Sequence, residues 1–92
     1  MMEDKLKLGQ VVVAKAGREK GKAFLVIGRL DHEYVLIANG VNRTIDKPKK
    51  KKIKHLEKRP EIAHELGQKF KNGDKVFDAE LRKSLRSMGL DK

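Results

Sequence analysis

Lysine and arginine supply most of the chemistry this sequence can do. Four lysines stand in a row, Lys49, Lys50, Lys51 and Lys52, with Arg43, Lys47, Lys54, Lys58 and Arg59 around them. A second group, Lys15, Arg18, Lys20 and Lys22, is carried on Gly17-Arg18-Glu19-Lys20-Gly21-Lys22. Its two loop-shaping glycines, Gly17 and Gly21, allow close backbone approach, so by spacing alone this stretch reads equally as a phosphate-gripping tip or as an ordinary polar hairpin loop. The 92-residue chain carries 23 basic and 13 acidic groups, a net charge of +10. Residues 43–59 alone hold 9 basic and 2 acidic groups, so +7 of that charge sits in seventeen residues. A field this concentrated attracts polyanions through counterion release and speeds their encounter. DNA or an anionic membrane surface answers to the same field, and a lysine run can also be a solvated loop that keeps a protein soluble.

Other chemistries find little support. His32, His55 and His64 have no ligand spacing between them, and there is no cysteine to join them in a metal site. The missing cysteine also excludes a disulfide framework and a cysteine nucleophile, and it fits a reducing compartment. Ser84 and Ser87 stand in a helical segment with no base and no nucleophile-elbow glycines. Gly17 to Gly21 is too short for a nucleotide-hydrolase phosphate loop. No catalytic residue, cofactor, metal or small-molecule substrate is therefore expected. Only Phe24, Tyr34, Phe70 and Phe77 are aromatic, and all but Tyr34 sit in patterns that argue for burial. Reading splayed bases needs exposed aromatic platforms, whereas contact with phosphates and with the shape of a folded RNA needs cations.

The elements that must position these cations are short. Gln10 to Ala16 is β-branched and apolar, and Lys22 to Arg29 follows the glycine-bounded loop as a second strand. In that strand Phe24 and Val26 point one way and Leu25 and Ile27 the other, so it belongs at the centre of a sheet. Asp31-His32 reads as a turn and Glu33 to Ala38 as a third strand. Asn39-Gly40 reads as a hairpin turn returning through Val41 to Asp46 as a fourth. Pro48 ends that strand, which leaves Lys49–Lys52 in a loop, and Ile53 to Leu56 forms a fifth, edge strand. Four or five short strands predict a small barrel, because closure removes sheet edges. Folding of so small a chain buries roughly two-thirds of its unfolded surface, enough for one thin core.

The last third reads as helical. Pro60-Glu61 suits a helix start, with Ile62, Leu66 and Phe70 recurring every four residues and Gly67 a possible stop. Asn72-Gly73 breaks the chain. Phe77, Leu81, Leu85 and Met88 then fall on one stripe, with Asp78 as cap and Gly89 as terminator. A helix this short is marginal alone, so the stripe should pack on the barrel. Residues 1–58 are expected to form the barrel with its basic loop and 59–92 a helical extension, together one structural domain with no internal repeat. The charged start, Met1 to Lys5, and apolar runs far shorter than a membrane span predict a soluble, cytoplasmic protein.

The run Gly9-Gln10-Val11-Val12-Val13-Ala14-Lys15-Ala16-Gly17-Arg18-Glu19-Lys20-Gly21-Lys22-Ala23-Phe24-Leu25-Val26 resembles the KOW motif of ribosomal proteins and of the NusG family of transcription elongation factors. Ala23-Phe24 stands where many such motifs have another glycine. Tyr34 to Gly40, followed by Asp46-Lys47-Pro48-Lys49-Lys50-Lys51-Lys52-Ile53-Lys54-His55-Leu56, extends the resemblance to short bacterial KOW-domain RNA-binding proteins. Those are similar to the archaeal and eukaryotic large-subunit ribosomal protein family called the fourteen-e group. The resemblance covers residues 8–58, with a weaker echo in Asp78 to Leu85. It implies a small SH3-like barrel, contact with RNA, and a ribosomal or ribosome-associated setting. The expectation is thus a mainly β, non-enzymatic, monomeric RNA-binding protein, with ribosomal RNA of the large subunit as partner. Lys15, Arg18, Lys20 and Lys22 form one anchor, and Arg43, Lys47, Lys49–Lys52, Lys54, Lys58 and Arg59 the other. An SH3-like adaptor for a protein of the transcription or translation machinery is the alternative.

Overall fold

A computed structural model describes residues 6–90; the charged start, Met1 to Lys5, lies outside them. Alternating apolar side chains build the first three strands: β1 (Gln10–Ala14), β2 (Ala23–Arg29) and β3 (Tyr34–Ala38). Two further strands follow, β4 (Lys49–Lys52) and β5 (Leu56–Ile62), joined by a 3₁₀ turn at Ile53–His55. Helices α1 (His64–Asn72) and α2 (Asp78–Ser87) end the chain. The strands form one antiparallel sheet in the order β4-β3-β2-β1-β5. The protein is therefore mainly β with C-terminal helices, as its sequence predicts.

β2 is central and buries both faces. Phe24 and Val26 join Val12, Ala14, Val35, Ile37 and Leu56 in one core cluster. Leu56 comes from β5 and Ile37 from β3, with two strands between them in the sheet, so the sheet curls around this cluster. On the opposite face Leu25 joins Val11, Ala38 and the helical Leu66, Leu81 and Leu85. Each helix thus lays its apolar stripe on the convex side of the sheet, where burial offsets the marginal stability of nine and ten helical residues.

Several expectations are corrected. Val41 to Asp46 is not a strand, because its backbone donors are taken elsewhere. The Asn39 side-chain oxygen accepts the N–H groups of Val41 and Arg43 at 3.0 and 3.2 Å, and Asp78 Oδ1 accepts that of Ile45 at 2.8 Å. Local side-chain acceptors of this kind compete with a ladder. Asn39-Gly40 accordingly opens a side-chain-braced loop instead of a two-residue hairpin. Lys49–Lys52, expected in a loop, is the strand β4, and it pairs along the open edge of β3 from Ile37↔Lys49 to Tyr34↔Lys52. Pro48 stands just before it, where a missing N–H costs no ladder bond.

Ile53–His55 is a turn instead of a strand, with Ile53 packed against the inner core. Pro60 lies inside β5 instead of opening a helix. It falls in a bulge between the pairs Gln10↔Ile62 and Val12↔Lys58, where the buried Gln10 amide donates to the carbonyls of Arg59 and Glu61. Gly67 does not stop α1 but lets it pack, since a Cβ there would collide with the Leu8 carbonyl. Asp78 is the first residue of α2 instead of its cap; the Glu80 carboxylate accepts the Phe77 N–H at 3.0 Å. Phe77 itself is 59% exposed and stands off the buried stripe of Leu81 and Leu85.

Candidate nucleic-acid interface

The β1–β2 loop is closed by its own backbone. Gly21 N–H donates to Ala14 O at 2.8 Å, Lys22 N–H to Glu19 O at 2.9 Å and Lys20 N–H to Gly17 O at 3.2 Å. Gly17 and Gly21 hold φ of 85° and 89°, a region open to glycine at no steric cost. This tight frame leaves Lys15, Arg18, Lys20 and Lys22 exposed on one tip. Glu19, the single acid of the loop, turns inward. Its side chain is 10% exposed, and Oε2 accepts Arg43 Nε at 2.6 Å and Asn42 Nδ2 at 3.4 Å. The tip therefore presents cations while its one carboxylate is neutralised behind it.

β4 brings the lysine run beside this tip. Lys49 and Lys51 lie opposite Ile37 and Val35, on the inner-core side, and Lys51 Nζ donates to Ala16 O at 3.5 Å. Lys15 N–H donates to His55 O at 2.9 Å, tying the base of the loop to the turn after β4. On the other face of β4, Lys50 Nζ stands 4.6 Å and Lys52 Nζ 5.8 Å from the centroid of the Tyr34 ring. The lysine stems cover the half-buried ring while the ammonium groups stay at its surface. Asp31 lies in the adjoining turn, and the N–H groups of Glu33 and then Tyr34 hold its carboxyl below the ordinary value.

The remaining candidates are placed less uniformly. Lys47 is exposed beside β4, with its N–H on Thr44, and Lys54 is exposed in the 3₁₀ turn. Arg43 joins the loops through Glu19. Lys58 and Arg59 stand on β5, the opposite edge of the sheet, where Arg59 Nε faces Glu61 Oε1 at 3.8 Å. The structure thus brings Lys51 to the Gly17–Gly21 loop and leaves Lys58 and Arg59 apart in the sheet order. Sequence reasoning missed the Glu19–Arg43 pair, whose only signal was one acid inside a basic loop. Among the described residues, no group of three or more His, Asp or Glu side chains gathers to hold a metal ion, and no helix is long and apolar enough to cross a membrane.

Fold and surface together define a small antiparallel β domain with two C-terminal helices and a cationic face built from one hairpin loop and one edge strand. No protein-family model matches this sequence. The chain is 35% identical over 52 residues to the large ribosomal subunit protein eL14 of Desulfurococcus amylolyticus, a match covering 56% of this chain and 54% of that protein. The chain thus spans about half the length of this relative. The likeness is that of a distant eL14-like sequence, in agreement with the large-subunit ribosomal resemblance carried by residues 8–58.

Proposed function

We propose that this chain is a non-enzymatic, cytoplasmic RNA-binding protein of the large ribosomal subunit or its associated factors, acting as a monomer that grips the phosphates of folded RNA. One observation supports this reading above the others. Lys51 reaches the Ala16 carbonyl at the base of the Gly17–Gly21 loop, so the two basic groups of the sequence adjoin on one surface. The similarity to a large-subunit ribosomal protein names the setting in which such a surface has a polyanion to meet. Lys15, Arg18, Lys20 and Lys22 form the first anchor, and Lys47, Lys49–Lys52 and Lys54 the second. Lys58 and Arg59 extend the contact from β5, and Arg43 holds the two loops together.

Phosphate contacts position a protein without reading sequence, so recognition rests on the shape of the RNA. Sucrose-gradient sedimentation of lysate tests the setting. Co-sedimentation with the large subunit at low salt, with release as salt rises, is the expected result. A protein that stays at the top of the gradient at low salt contradicts it, and an RNA-free protein complex retained at high salt favours an adaptor instead.

A further inference from the structure

Beside the first anchor, a cleft of about 230 Å³ opens between the end of the β1–β2 loop, the turn at residues 39–42 and α2. Its volume falls below the range of about 300 to 1,000 Å³ typical of drug-sized ligand sites, which limits an occupant to something of the order of one ring system. Leu85 and Leu90 give it an apolar floor, and Val41, 69% exposed, stands on its rim. Lys22, Arg82 and Arg86 bring positive charge to the lining, and among the described residues no acidic side chain lines it. Arg82 is fixed in place, its Nη1 donating to Gly40 O at 2.7 Å.

Asn42 adds a polar edge. Its Oδ1 accepts Asn39 Nδ2 at 2.9 Å and its Nδ2 donates to Glu19 at 3.4 Å. A side-chain amide has two donors and two acceptor lone pairs, so one of each remains. An apolar slot, a donor–acceptor edge and rim cations are what an unstacked nucleotide needs for its ring, its base edge and its phosphate. Guanidinium planes can stand in for aromatic rings as stacking surfaces. The lining is also continuous with the proposed interface, because Lys22 belongs to both.

We infer that this cleft seats a single unpaired nucleotide of the bound RNA, with the base in the slot and the phosphate on the rim cations. The inference rests on the RNA-binding reading above and adds base-dependent contact to it. Titration of the isotopically labelled full chain with AMP, GMP, CMP and UMP, and with ribose 5-phosphate as base-free probe, tests it by NMR. At least one mononucleotide should shift the Asn42 side-chain amide and the Val41 and Leu90 methyl signals, with ribose 5-phosphate leaving them in place. Equal shifts from ribose 5-phosphate, or no shift from any nucleotide, would overturn it.

A second comparison uses variants. Val41→Glu places a carboxylate on the rim, and Leu30→Glu adds the same charge at the β2–β3 turn, at an exposed residue outside the cleft. For a hairpin RNA with an unpaired loop, Val41→Glu should weaken binding about tenfold more than Leu30→Glu, the size expected for losing one base contact. Equal losses would overturn the cleft, whereas a wild-type chain that binds no RNA at all would instead remove the reading on which it rests.

Discussion

The β1–β2 hairpin and the stretch from Asn39 to Leu56 carry the same kind of charge but are built in different ways. In the hairpin, strand and function are separated: Val11, Val12, Phe24 and Leu25 hold the sheet while the loop between them holds the cations. In the second stretch, one run of residues does both. Lys49–Lys52 forms an edge strand because β3 offers an unpaired backbone edge, and the side chains contribute charge instead of core. A strand can therefore be imposed by its neighbour's backbone where its own side chains carry no strand signal. Lysine at an edge has the further effect of discouraging pairing with other chains.

Removing core from the first region should cost most. Phe24→Ala deletes a fully buried ring from the inner cluster and should lower unfolding free energy by about 3 to 5 kcal/mol, read by denaturant titration. The Gly17–Gly21 tip should lose its order together with the sheet. The link between the regions comes next. Glu19→Gln removes a charge-assisted pair with Arg43 and should cost about 1 to 2 kcal/mol. RNA affinity should nevertheless rise, because an anion is removed and Arg43 is released; a fall in affinity would mean that Arg43 needs Glu19 to face the RNA.

Replacing all four of Lys49–Lys52 by glutamine should change stability by no more than about 0.5 kcal/mol per substitution, as expected for surface changes, since the β3–β4 ladder is made by backbone groups. Loss of β4 amide protection in that variant would show that the lysine stems over Tyr34 hold the strand. The smallest effect is expected at α2. Glu80 lies below the ordinary carboxyl value because it accepts the Phe77 N–H and then the Lys69 ammonium, and the Glu80 partnership raises Lys69. The depressed carboxyl contributes fully above the unfolded carboxylate value, and that contribution is lost as pH falls through the folded one. For Lys69 the contribution is present below the ordinary lysine value and lost as pH rises through the raised one. Amide protection in the first turn of α2, taken relative to the intrinsic exchange rate at each pH, should therefore fall at acid pH, and Glu80→Gln should flatten that dependence.

What was legible in the sequence follows the same division. Two-sided apolar alternation in Ala23–Arg29 revealed the central strand, and the Leu81–Leu85 spacing revealed the face of α2 that packs. Val41–Asp46 misled because Asn39 and Asp78, local and distant acceptors respectively, capture donors that alternation alone would assign to a ladder. Pro60 misled because a bulge on an edge strand accepts proline as readily as a helix start does. Phe77 fitted a helical stripe by spacing, but α2 begins after it and leaves it exposed. At the candidate interface, the cationic residues are visible in the sequence one by one. Their convergence is not, since the approach of Lys51 to Ala16 depends on a strand that the sequence does not announce.

The claim that the hairpin loop and β4 act as one RNA-binding surface is tested most directly by salt dependence in three chains: wild type, a loop variant with Lys15, Arg18, Lys20 and Lys22 changed to glutamine, and a β4 variant with Lys49–Lys52 changed to glutamine. If about six groups neutralise phosphates, log affinity for a structured ribosomal RNA should fall against log salt with a slope of roughly 4 to 5 in the wild type. Each variant should show a shallower slope and a weaker hold on the same RNA site by footprinting. A wild-type slope near zero, or a variant whose slope and affinity match the wild type, would contradict the shared surface.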